Sequence, residues 1–250
     1  MSHDTRSQRA DLDRSSFGQV VQVGLLSLFV TALITSQVTA SKLLAIDLPF
    51  GIPLAGETLL LPGAALAYAV TFFASDCYAE LYGRRAAQVM VNVAFFMNFV
   101  FLALAFLTIQ APIASFSPVG QAEFASVLGA SLPIVVGSLA AYLVSQNWDV
   151  LVFHRLREYT DGDALWLRNL GSTASSQLLD TVIFITLAFG LVPLLVGSDP
   201  RSLSAIAALI VGQYVLKLLI ALGDTPFVYA VVGAVRSRAG DSAATASRLD

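Results

Sequence analysis

The chain has 250 residues, of which 56% are hydrophobic and only 12% are charged. Soluble domains carry about 25% charged residues, so this composition excludes an ordinary soluble domain and predicts an integral membrane protein. The net charge of −3 indicates no particular partner, and we expect no nucleic acid. A single cysteine, Cys77, excludes an internal disulfide, and two histidines make a zinc site or a Cys–His nucleophile improbable.

Long apolar runs divide the chain into a membrane domain and two tails. We expect a polar N-terminal tail at residues 1–16, a transmembrane domain at residues 17–235 and a disordered C-terminal tail at residues 236–250. The first apolar run is too long for a signal-peptide core of roughly 7–15 residues. The predicted helices span about residues 20–45, 57–82, 87–110, 124–153, 167–196 and 203–223, followed by an apolar segment that reaches residue 235.

Proline and glycine mark the expected boundaries between these helices. We predict a loop between the first two helices, from Pro49 to Gly56, and the end of the second helix at Gly83. The first helix becomes polar towards its end. Gln37 there indicates either a helix end at the membrane interface or part of a pocket.

The distribution of basic residues predicts the orientation. Eleven Lys and Arg side chains flank one predicted membrane surface, whereas two flank the other. Because basic loops stay on the cytoplasmic side, we expect an all-α polytopic membrane protein with six transmembrane helices and both termini in the cytoplasm.

Several polar residues lie at similar predicted depths within these helices. At about 1.5 Å per residue, Asp180 lies roughly 15 Å and Lys217 roughly 10 Å from the cytoplasmic surface. Lys217 is the only cation in this layer, so it can pair with Asp180 or with Asp76. The same layer contains Asp76, Gln146, Gln177, Asp180, Gln213 and Lys217.

Two interpretations of this layer are open. Polar residues in membranes also hold helices together, and Asp76 and Glu80 can be an interfacial helix end. For Asp180 with Lys217 we favour a substrate or proton path, because charges inside the membrane are expensive to insert. Carboxylates, amides and aromatic rings suit a planar, hydrogen-bonding heterocycle such as a guanine-like base. The residues alone do not select among heterocycles.

Four stretches in the same order resemble the queuosine-precursor transporter family, also called the VUT family, of six-helix membrane proteins. The stretch from Ser75 to Gly83 resembles an Asp-x-x-x-Glu-x-Tyr-Gly segment, and the stretch from Gln146 to Arg157 resembles the exit of the fourth helix. Trp166 to Thr181 resembles the signature of the fifth helix, and Lys217 with Pro226 resembles the last helix. Gln37 departs from the family pattern, in which we expect Asn.

The resemblance implies a transporter of the cell membrane and not an enzyme. Its expected cargo is 7-cyano-7-deazaguanine or 7-aminomethyl-7-deazaguanine, imported for queuosine in bacteria or archaeosine in archaea. We expect the bilayer and this small molecule as partners, no cofactor, and either a monomer or a homodimer. An alternative is the substrate-binding membrane subunit of an ATP-driven vitamin or nucleobase importer. The expected substrate-binding residues are Asp76, Glu80, Gln146, Asn169, Gln177, Asp180, Gln213 and Lys217.

Overall fold

The fold is mainly helical, as the composition predicts. The computed structural model describes residues 16–53, 56–160 and 165–246, and for residues 16, 157, 165–169 and 239–246 it describes only the backbone. The predicted N-terminal tail therefore lies almost wholly outside the described residues. The elements in chain order are α1 (Ser16–Thr39), β1 (Leu43–Ile52), β2 (Gly56–Pro62), α2 (Ala65–Tyr82), α3 (Arg84–Gln110), α4 (Gln121–Gly129), α5 (Ser131–Tyr159), α6 (Leu165–Thr186), a π-helical turn (Leu187–Leu191), α7 (Val192–Leu195) and α8 (Leu203–Ala246).

Five helical stretches of the described chain are long and apolar enough to cross a membrane. They are Phe17–Thr39, Arg84–Gln110, Gln121–Leu156, Leu170–Leu195 and Leu203–Arg238. The sixth predicted helix is α2, which is shorter and is not among these five. Large apolar side chains on these stretches remain exposed, for example Phe96 at 62% and Leu107 at 64%. Such exposure is expected where lipid rather than water surrounds a helix.

A β-hairpin replaces the loop that we predicted between the first two helices. Strand β1 pairs antiparallel with β2, with Leu43 opposite Pro62 and Asp47 opposite Thr58. The prediction of a loop over Pro49–Gly56, with a helix from residue 57, was wrong. Proline is tolerated at bulges and in edge strands, and the register is irregular between Asp47 and Ile52, where Pro49 lies.

The last helix is longer than we predicted, because α8 continues without interruption from Leu203 to Ala246. Pro226 lies inside it, and prolines in membrane helices are tolerated where nearby side chains satisfy the freed backbone groups. The carbonyl that Pro226 leaves without its helical donor is that of Leu222, whereas the Thr225 hydroxyl donates to the preceding carbonyl, that of Ala221, at 3.0 Å. The helix includes residues 236–246, where we expected a disordered tail; this segment is rich in alanine and arginine, which favour helices. Residues 247–250 lie outside the described chain.

The chain forms two compact units, each with its own core. Unit 1 comprises Met1–Ser36, Leu66–Phe101 and Leu219–Asp250, and unit 2 comprises Gln37–Ala65 and Leu102–Leu218. The core of unit 1 surrounds the buried face of α2, with Cys77, Tyr78 and Leu81 packed against α1, α3 and α8. Gly83 has a φ of 95° and ends α2, as predicted.

The core of unit 2 lies where α5 meets α6 and the π-helical turn. Ile185 is fully buried there, together with Ile134, Phe184 and Leu209. A β-carbon added to Gly137 on α5 would lie 3.0 Å from the Ala188 Cβ. Glycine at this position therefore permits close contact between the helix backbones.

Candidate functional site

Asp180 and Lys217 form a buried ion pair between α6 and α8 of unit 2. Lys217 Nζ lies 2.6 Å from Asp180 Oδ2, and the two side chains are 3% and 16% exposed, respectively. Both residues lie inside apolar stretches that can cross a membrane. A charge at the centre of such a helix costs about 2.5–3.5 kcal/mol to insert, and pairing offsets part of this cost. Asp180 is thus one of the two partners that the sequence predicted for Lys217.

Helix α5 contributes a third side chain to the ion pair. Ser145 is buried, and its Oγ donates to Asp180 Oδ1 at 3.3 Å. Lys217 therefore donates to Asp180 Oδ2, while the single hydroxyl proton of Ser145 is shared between Asp180 Oδ1 and the Tyr142 carbonyl, each at 3.3 Å. The pair is held by three helices rather than two.

Further hydrogen bonds join α5 to α6 near this pair. Ser176 Oγ donates to Asp149 Oδ1 at 3.2 Å, and Trp148 Nε1 donates to Ser175 Oγ at 3.2 Å. On the side of α8, the Tyr214 hydroxyl donates to the Ala174 carbonyl at 3.3 Å. These bonds fix the faces of the helices that carry the charged pair.

Glutamine side chains with unused acceptors lie near the pair in sequence. Gln177 precedes Asp180 by three residues and Gln213 precedes Lys217 by four, so each shares a helical face with its charged neighbour. The Oε1 atoms of Gln37, Gln177 and Gln213 are buried and have no hydrogen-bond partner within the part of the chain that the structure describes. A buried acceptor left without a donor costs about 1–3 kcal/mol, and such groups are rare in native proteins. Three such oxygens in unit 2 are therefore candidate contacts for a ligand that carries N–H donors.

The other predicted site residues of unit 2 lie in different surroundings. Gln146 is exposed, and the preceding residue, Ser145, is the one that contacts Asp180. Asn169 belongs to α6, but its side chain is outside the described part. A stripe of small residues four apart on α5, namely Gly137, Ala141 and Ser145, could have indicated Ser145, because small residues at this spacing mark close helix contacts.

Asp76 and Glu80 line a separate cavity within unit 1. The cavity has a volume of about 300 Å³ between the end of α2 and the second half of α8. Two residues of the lining bind each other: Arg236 Nη2 donates to Glu80 Oε2 at 3.2 Å and to the Glu80 carbonyl oxygen at 3.0 Å. Its polar lining consists of Asp76, Glu80, Arg84, Thr225, Tyr229 and Arg236.

The cluster around Asp180 in unit 2 and the cavity of unit 1 both offer hydrogen bonds and charged side chains to a ligand. Within the described ranges, no group of three or more His, Cys, Asp or Glu side chains could hold a metal ion. The cluster around Asp180 presents one carboxylate, one ammonium and amide oxygens, which together can bind a polar molecule with several donors.

Two comparisons with known proteins agree with each other. A family model described as "Putative vitamin uptake transporter" matches residues 62–231. A curated relative from Bacillus subtilis (strain 168), named "Probable queuosine precursor transporter", is 32% identical over 166 residues, which cover 65% of this chain and 68% of the relative. No solved structure matches this chain significantly.

Proposed function

The chain belongs to the family of vitamin uptake transporters, and from this membership we propose that it imports 7-deazaguanine precursors of queuosine. It is a multi-pass membrane protein, with helices long and apolar enough to span the bilayer. The name of the bacterial relative supports a queuosine precursor as the cargo. The specific bases that we propose are 7-cyano-7-deazaguanine and 7-aminomethyl-7-deazaguanine.

One observation supports the position of the substrate site. Gln177 and Gln213 share helical faces with Asp180 and Lys217, and their buried Oε1 atoms have no hydrogen-bond partner among the described residues. A guanine-like ring carries N–H and amino donors along one edge, which carboxylate and amide oxygens accept. An adenine-like ring presents fewer donors and no carbonyl, so this set of acceptors favours the guanine pattern.

We propose a division of roles within this site. Lys217 neutralises Asp180 when the site is empty, and Ser145 holds the second carboxylate oxygen. On binding, the donor edge of the base contacts Asp180, while Gln177 and Gln213 accept from its remaining N–H groups. The helices then expose the site to one membrane surface at a time, in an alternating-access cycle.

The same proposal includes orientation. Both termini face the cytoplasm, because the basic residues concentrate on that side. The proposed site does not include Asp76 and Glu80, which line the cavity of unit 1, or Gln146, which is exposed; the side chain of Asn169 lies outside the described part.

The proposed function can be tested by measuring the uptake of labelled precursor in cells that cannot synthesise this precursor. Cells that express the chain alone should accumulate the base, whereas an importer subunit would need further partners. Asp180→Asn should lower the initial rate about tenfold or more, because a hydrogen bond to a charged group contributes about 1.5–3 kcal/mol. Asp199→Asn, in an exposed turn, is the matched control. Full uptake by Asp180→Asn at normal expression would refute the site.

A further inference from the structure

We infer that the cavity of unit 1 is a second binding pocket for the same planar, guanine-like base, closed at one end by the Glu80–Arg236 pair. The inference rests on the proposed function, since it names the same ligand class. All residues that line the cavity belong to unit 1, so the pocket is complete within it.

The contact between Glu80 and Arg236 indicates how far each lining residue lies from the membrane surface. This contact places the end of α2 beside the last turns of α8, so both helices approach the same membrane surface. Asp76 lies one turn before Glu80, about 6 Å deeper along the axis. Thr225 and Tyr229 precede Arg236 on α8 and also line the cavity. Because Asp76, Thr225 and Tyr229 are exposed, the cavity is an open groove, with a charged end at Arg236 and a polar and aromatic end at Tyr229.

The side chains that line the groove around Tyr229 suit a base that both donates and accepts hydrogen bonds. The Asp76 carboxylate can accept from ring N–H and amino groups, as acidic side chains accept from bases elsewhere. The Arg84 guanidinium and the Thr225 hydroxyl can donate to a ring carbonyl. The Tyr229 ring offers a flat surface on which a base can stack.

The size of the cavity limits the ligand. Its volume of about 300 Å³ is at the lower end of the range of about 300–1,000 Å³ that is typical of small-molecule pockets. A single bicyclic base fits such a volume better than a nucleotide does. The balance of charges also argues against a phosphate group, because two carboxylates and two guanidinium groups line the same cavity.

The outer contact has the properties of a gate. The side chains of Arg236 and Glu80 are 39% and 60% exposed. An exposed ion pair contributes little to stability, so this contact can break and re-form easily. The Asp180–Lys217 pair is buried and lacks this freedom. On the proposed orientation the gate faces the cytoplasm, so the pocket is the position from which the base is released.

Binding to the purified full-length protein tests the pocket, with labelled 7-cyano-7-deazaguanine as the probe. In an Asp180→Asn background, the remaining binding should weaken about tenfold on Asp76→Asn and on Tyr229→Leu, a change expected for a lost charged hydrogen bond or a lost stacking ring. Tyr229→Phe keeps the ring and should restore binding. Arg85→Gln, next to Arg84 but outside the lining, is the matched control. Where the background does not fold, the same substitutions are measured singly as uptake rates.

Charge reversal tests the gate. Glu80→Arg and Arg236→Glu each place like charges together and should lower uptake about fivefold or more, whereas the double reversal should restore it to within about twofold. Arg85→Glu should leave uptake unchanged. Failure of the double reversal to restore uptake would refute the gate.

The two proposals fail in different ways. No uptake of either 7-deazaguanine by the unaltered protein would refute the proposed function. Normal uptake by the unaltered protein, with unchanged binding and rates in Asp76→Asn and Tyr229→Leu, would refute the second pocket alone.

Discussion

Removal of one charge from the Asp180–Lys217 pair should destabilise the protein much more than removal of both. Lys217→Met leaves the Asp180 carboxylate buried, with Ser145 as its remaining donor. Replacing both residues in Asp180→Leu/Lys217→Met leaves an apolar contact of similar volume. Breaking a buried pair costs about 3–5 kcal/mol, whereas its complete apolar replacement is often neutral or stabilising.

The expected magnitude lies at the lower end of that range. The Asp180 side chain is 16% exposed and keeps one hydrogen bond, so we expect about 3 kcal/mol for Lys217→Met. In a chain of this size, 1 kcal/mol lowers the midpoint of thermal unfolding by about 2–4 °C, so the single variant should melt roughly 6–12 °C lower. The double variant should melt within about 4 °C of the unaltered protein or above it.

Thermal unfolding of the purified protein, followed by size-exclusion chromatography with fluorescence detection, measures this difference. Lys42→Met is the matched control, because Lys42 is the other lysine of the chain and is exposed. Equal melting temperatures for Lys217→Met and Lys42→Met would refute the energetic role of the pair. The double variant also separates structure from transport. If it is stable but does not take up the base, transport requires the pair beyond its effect on stability, whereas full uptake would refute the proposed site.

The remaining predictions concern helix contacts and topology. Gly137→Val should lower stability by about 1–3 kcal/mol, because the added atoms meet neighbouring backbone, as thermal unfolding would measure. Ser145→Ala should lower the free energy of unfolding by about 1 kcal/mol and the uptake rate by the corresponding factor of about five, whereas Gln146→Ala should change neither. Paired measurements of uptake and of melting temperature would reveal this. In a Cys77→Ser chain, a cysteine at Ser117 should react with an impermeant thiol reagent added outside intact cells, since its loop lacks basic residues.

Each of these predictions has a distinct contrary outcome. A stable, active Gly137→Val would mean that α5 and α6 can separate without cost. A stronger effect at Gln146 than at Ser145 would place the Gln146 face of α5 at the site, about 100° around the helix from Ser145. Labelling at Ser117 only after the cells are opened would reverse the proposed orientation.

The sequence predicted the helical membrane fold because long apolar runs leave few alternatives in a bilayer. It could not predict the hairpin β1–β2, since Pro49 and Gly56 are as typical of a loop as of an irregular edge strand. It also divided α8 at Pro226, because proline breaks helices in water but is tolerated where membrane neighbours satisfy the backbone. Local sequence propensity thus failed to predict the secondary structure at these positions, because contacts with neighbouring elements determine it there.

The ion pair was predictable and the detail around it was not. Asp180 and Lys217 are charged residues in apolar segments, so each required a partner, and the depth of each in its helix limited the choice. Depth along a helix does not give the direction of a side chain, however. Gln146 was therefore expected where Ser145 lies, although the two residues are about 100° apart around α5.

Stability alone does not account for the polar cluster of unit 2. An apolar replacement of the Asp180–Lys217 pair would often stabilise a protein. Among the described residues, the buried Oε1 atoms of Gln37, Gln177 and Gln213 have no hydrogen-bond partner, and each adds about 1–3 kcal/mol of cost. All three belong to the unit that carries the Asp180–Lys217 pair, whereas Asn98 Oδ1 is a buried oxygen of the same kind in unit 1. A ligand with several N–H donors would remove the costs in unit 2 on binding, and this physical argument connects the buried pair with a donor-rich base.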